Sequence, residues 1–68
     1  MKCFITSLNS EAIPSDMVKH IHTLANIQGI SDNGGLLIVE VPSENLIKLE
    51  EYCSMNELEL KKTAGFSF

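Results

Sequence analysis

The side chains with the clearest route to chemistry in this sequence are Cys3, Cys53, His20, His22 and a set of nine acids. Cys3 and Cys53 stand fifty residues apart, with no Cys-x-x-Cys pair, so the spacing of a metal knuckle or a thioredoxin-type redox motif is lacking. They read as buried structural thiols. A disulfide would need the start of the first strand to pass close to the second helix. His20 and His22, spaced i, i+2 on a helix, project about 200° apart, a poor geometry for one tetrahedral metal, and read as surface residues. Either could act as a base, but its nucleophile would have to be Cys3, a serine or a threonine, and no nucleophile elbow surrounds any of these. Gly34-Gly35 lies between two expected strands, with no helix start or lysine behind it, so it reads as a turn and not a phosphate cradle. Glu50 and Glu51 diverge by about 100° on a helix. Glu57 and Glu59 fall on the water-facing side of an alternating strand. The residues therefore predict no catalytic set, no metal and no cofactor, and the chain is expected to be non-enzymatic.

The elements that carry these residues can be read from periodicity. Lys2–Leu8 is rich in β-branched and aromatic residues and ends at Asn9-Ser10, which predicts a first strand. Ser15 is the expected cap of a first helix, with Asp16 in the first turn and Met17, Ile21 and Leu24 as its apolar stripe. That helix should end near Asn26, with Gly29 available for a left-handed termination. Gln28–Ser31 is the weakest element, a short edge strand, and if it fails a three-stranded β-α-β-α-β variant remains. Asp32-Asn33-Gly34-Gly35 predicts a hairpin turn at Asn-Gly. Leu36–Val41 is almost continuously apolar and should be a central strand ended by Pro42. Ser43 is the expected cap of a second helix with Leu46, Leu49 and Cys53 inward and Asn56 as terminator. Glu57–Lys61 alternates as a fourth strand with Leu58 and Leu60 inward. Residues 64–68 read equally as a strand continuation or a free tail.

The order β-α-β-β-α-β predicts an α/β (α+β) two-layer sandwich, ferredoxin-like, with two helices on one face of a small antiparallel sheet. At 68 residues and 44% hydrophobic content, the chain fits one compact domain over residues 1–68 with little core to spare for an enclosed site. No apolar run approaches the roughly 20 residues of a membrane span. The N-terminus lacks a signal-peptide pattern, so a cytoplasmic protein is expected.

Charge narrows the partners further. Five lysines oppose nine acids, giving a net charge of −4, and there is no arginine. Nucleic acid and anionic membrane are disfavoured by that balance, since phosphate binders need clustered cations. Residues 36–68 hold six of the nine acids, which predicts an acidic surface around Glu44, Glu50, Glu51, Glu57 and Glu59 facing a basic partner protein. The alternative contact is the aromatic end, Phe66 and Phe68, hinged at Gly65. With Leu37, Val39 and Val41 toward the helices, Leu36 and Ile38 would face outward together with Glu40 and a residue such as Phe4. That predicts an uncovered apolar sheet face and a homodimer centred on Leu36 and Ile38.

Gly35-Leu36-Leu37-Ile38-Val39-Glu40-Val41-Pro42, the second helix, Glu57-Leu58-Glu59-Leu60 and the aromatic end Phe66-Ser67-Phe68 together resemble the layout of subtilisin propeptide-like proteinase inhibitors. The resemblance is one of hydrophobic pattern over most of the chain. It implies an inhibitor that uses a substrate-like C-terminal tail. The same order resembles ACT-type regulatory domains, which implies a small-molecule sensor, although the glycine turn of that family is replaced here by Asn9-Ser10-Glu11. The leading expectation is a small protein-binding module that modulates or inhibits a partner by direct docking, by analogy with phage- or plasmid-encoded inhibitors of host enzymes.

Overall fold

The computed structural model describes residues 1–9 and 11–62. Six elements follow in the order β1 (Lys2–Ser7), α1 (Ser15–Leu24), β2 (Asn26–Ile30), β3 (Leu36–Glu40), α2 (Ser43–Met55) and β4 (Leu58–Lys62). The protein is a small α+β structure with one open sheet in the order β2-β3-β1-β4, and every neighbouring pair is antiparallel. The weak second strand forms, so the sheet has four strands and not three. Each helix joins two strands that flank a third: α1 links β1 to β2 across β3, and α2 links β3 to β4 across β1.

Alternation along the strands decides where the core lies. Cys3 and Ile5 of β1, Leu37 and Val39 of β3, and Leu58 of β4 are buried in one cluster with Ile21 of α1, Ala25 at its end, and Leu49 and Cys53 of α2. Both helices therefore cover the same sheet face, as the two apolar stripes require. Tyr52 of α2 stacks on His20 of α1 with ring centroids 4.2 Å apart, and Asn45 Nδ2 donates to the Leu24 carbonyl at 3.0 Å. These two contacts tie α1 and α2 together side by side.

The helix starts differ from the serine caps expected. Pro14 and Pro42 occupy the cap positions, with no side-chain cap, and Ser15 and Ser43 are the first helical residues. Each proline fixes φ near −60° and, with ψ of 147° at Pro14 and 144° at Pro42, holds the extended cap conformation. Its carbonyl accepts the first helical bonds: Val18 N–H donates to Pro14 at 3.0 Å and Asn45 N–H to Pro42 at 2.9 Å. The end of α1 also differs. Ala25 is extended (φ −146°, ψ 159°) and leads straight into β2 at Asn26. Gly29 is thus no helix terminator; it lies in β2 opposite Ile38, after a bulge between Ile27 and Gly29. The 32–35 turn is wider than a two-residue Asn-Gly hairpin. Only Gly34 has positive φ (72°), and the Asn33 carboxamide oxygen accepts from Ser31 Oγ (2.8 Å) and from Gly35 N–H (2.9 Å). The Gly34 carbonyl takes the Ile13 amide at 2.8 Å, tying the connector before α1 to this turn.

Glu57 is not in β4. It occupies the turn after α2 with φ 57°, where its carbonyl accepts the Leu8 amide at 3.0 Å. A left-handed conformation costs a side-chain-bearing residue about 1 kcal/mol or more relative to glycine. Glu57→Gly should therefore raise the melting temperature by a few degrees in a domain of this size. Thermal unfolding followed by circular dichroism checks it, and an unchanged or lower midpoint would contradict the turn geometry.

Candidate docking surfaces

The sheet face away from the helices is built by the residues that alternate with the core. On β1 these are Lys2, Phe4 and Thr6; on β3 they are Glu40, Ile38 and Leu36, paired with them in that order. On β4, Lys61 pairs with Phe4 and Glu59 with Thr6. Phe4, Leu36 and Ile38 are half-buried and form an apolar patch across the two central strands. Ile38 also leans over Gly29, whose missing Cβ would sit 3.6 Å from Ile38 Cδ1. Charges ring this patch. Glu59 and Lys61 pair at 3.8 Å, Glu40 lies opposite Lys2, and Glu40 also takes the Met1 amine at 3.4 Å. Leu36 and Ile38 thus face away from the helices, where strand alternation placed them.

Counted by side chains, the two lysines and two glutamates of this face balance. The chain's −4 consequently lies off this face: four acids and two lysines on the helices, Glu11, Asp32 and Glu57 in connectors and turns, and Lys62 on the inner side of β4. Glu44 and Glu51 are exposed on α2. Glu50 pairs with Lys62 at 3.2 Å, and Glu57 lies in the left-handed turn. Glu59 belongs to the opposite, open face, so the five glutamates do not form one patch. Phe66 and Phe68, and with them the question of strand or tail, lie outside the described residues.

The thiols are inward. Cys3 and Cys53 are both fully buried and unbridged. Burial pushes the Cys53 thiol up from its ordinary value of 9.0 to about 11, with Cys3 and Glu50 adding to the rise. Burial also raises Cys3, against the N-terminal ammonium and Lys62, which lower it. Near neutral pH both are thiols and poor nucleophiles. His20 is engaged with Tyr52. His22 lines a cleft of about 490 Å³ between the end of α1 and the start of α2, shared with Leu24, Asn26, Glu40, Pro42 and Asn45. Among the described residues no helix is long and apolar enough to cross a membrane, and no three His, Cys, Asp or Glu side chains are grouped so as to hold a metal ion.

Several members of these surfaces were hidden from the sequence. Lys2 and Thr6 follow from Phe4 by alternation, but Lys61 and Glu59 enter only through the β1–β4 register. The His20–Tyr52 stack depends on how the helices lie against each other, which no spacing in either helix reveals. Compared with known proteins, the chain matches no family model, no curated protein and no solved structure.

The Cys53 shift has a pH consequence. The unfolded thiol ionises near 9 while the folded one holds its proton to about 11, so the unfolded state binds fewer protons between those values. Stability should be flat below pH 9 with respect to this group and fall as pH rises from 9 to 11. Urea unfolding of wild type and Cys53→Ala across that window checks it. The slope should be shallower in the variant; identical slopes would contradict the assignment.

Proposed function

We propose that the chain is a non-catalytic protein-binding module that modulates or inhibits a partner protein by docking its acidic helical side against a basic surface. The observation that carries this reading is the segregation of charge: the side chains of the open sheet face balance, and the whole net charge of −4 lies off that face. Half of that excess lies on α2, where Glu44, Glu50 and Glu51 face Lys48 alone; it steers a basic partner toward that helix and speeds association, an effect that salt screens. Glu44 and Glu51, exposed on α2, are the residues chosen for this contact, with Glu50 and Glu57 at its margin. Glu59 drops out, because it belongs to the opposite face. We further propose that the fold is the ferredoxin-like arrangement; the strand order β2-β3-β1-β4 and the two connections that each span an intervening strand support it. The buried, unbridged thiols favour a reducing compartment such as the cytoplasm.

A second reading rests on the cleft beside His22 and Asn45. Its size falls within the range of small-ligand pockets, and it supports the small-molecule-sensing alternative. Affinity capture from the cells that make the chain, with wild type and the double variant Glu44→Lys/Glu51→Lys immobilised in parallel, tests the first reading. Wild type should retain one protein in stoichiometric amount at low salt, the variant should retain several-fold less, and both should melt at similar temperatures. Retention of nothing by wild type, or a rise of several degrees in melting temperature with one metabolite of a panel, would favour the sensor instead.

A further inference from the structure

We propose that the open sheet face is covered by a second copy of this chain, the two sheets packing face to face about a two-fold axis that runs parallel to the strands between β1 and β3. The inference goes beyond the partner-docking reading, since it uses the opposite face of the molecule and stands or falls separately.

Self-complementarity of the face points to that occupant. In an isologous dimer the same patch meets itself, so each group must find its complement across the axis within its own chain's pattern. The register supplies that pattern. Phe4 lies opposite Ile38, Thr6 opposite Leu36, and Lys2 opposite Glu40. A two-fold between β1 and β3 exchanges those strands. It brings Phe4 over Ile38 of the second copy, Leu36 over Thr6, and Lys2 over Glu40, each contact occurring twice. A two-fold perpendicular to the strands fails, because it would set Leu36 against Glu40. Aligned packing of twisted sheets at about 10 Å is the ordinary geometry for two such faces.

Charge and size agree with this occupant. A chain carrying −4 repels its own copy through any surface that bears the excess, and the open face bears none of it. The face is four strands wide and five to six residues long, roughly 20 by 17 Å, which is at the small end of specific interfaces, so a weak dimer that forms only at high protein concentration is expected. Packed in this way, both helical layers point outward on opposite sides. The dimer would then offer two acidic surfaces and bind a repeated or oligomeric basic target with avidity.

Sedimentation equilibrium tests the proposal. Wild type at several hundred micromolar should sediment at twice the 7.5 kDa chain mass, and Ile38→Lys should sediment at the chain mass with its circular dichroism unchanged. A second test does not depend on that variant folding. Lys2→Glu sets Glu against Glu40 across the axis, and Glu40→Lys sets Lys against Lys2, so each alone should dimerise about tenfold more weakly at low salt. An equimolar mixture of the two restores opposite charges at every such contact and should dimerise as wild type does. A wild type that stays at the chain mass overturns the proposal, whatever else covers the face. So does a mixture that dimerises no better than its separate components, which would place the contact elsewhere.

Discussion

The structure depends on one constraint: the two central strands, β1 and β3, must keep their alternation in step. Cys3 and Ile5 stand beside Val39 and Leu37 on the helical face, and all four are fully buried. A shift of one residue in either strand would turn Phe4 or Ile38 into the core and Ile5 or Leu37 out of it. The described residues form one core cluster, with no second to absorb that exchange. Everything else is hung on this pair. β2 and β4 add at the edges, and the helices lie over the buried row because their stripes have nowhere else to go.

The same alternation creates the open face. Because Leu37 and Val39 must point in, Leu36 and Ile38 must point out, and a strand that reads as almost continuously apolar cannot present a polar face to water. The surrounding residues temper the patch. Lys2, Glu40, Glu59 and Lys61 supply charge without net charge, as edges and rims of interfaces often do. On the helical side α2 took the opposite course, with three glutamates against Lys48. A two-sided molecule results: the open face carries balanced side-chain charges, and the excess of acids lies off it.

Much of this was legible in the sequence, and the parts that were not share a cause. β3, α2 and the inward residues Leu37, Val39, Leu49 and Cys53 follow from periodicity alone. So does the outward pairing of Leu36 with Ile38. What sequence could not supply was competition between equally good local signals. Ser15 and Ser43 are good caps, yet the proline before each had already fixed the backbone and offered its carbonyl. Gly29 is a good helix terminator, yet Ala25 could extend directly into a strand that gained a bulge and a place under Ile38. Glu57 continues a clean alternation with Glu59, yet the chain needed a left-handed residue to turn from α2 into β4. The proposed acidic patch lost Glu59 for a similar reason, since alternation along β4 set it on the sheet's other face.

The most direct measurement of the two-sided account is an isotope-filtered NOE experiment on an equimolar mixture of 13C-labelled and unlabelled chains. Phe4 and Ile38 are neighbours within one chain, so only a filtered spectrum separates contacts made between copies. The account predicts intermolecular cross-peaks from the Phe4 ring to the Ile38 methyls, and none from the exposed Ile47 of α2. Cross-peaks confined to Ile47 and its helical neighbours, or none between copies in a sample concentrated enough for NMR, would contradict it.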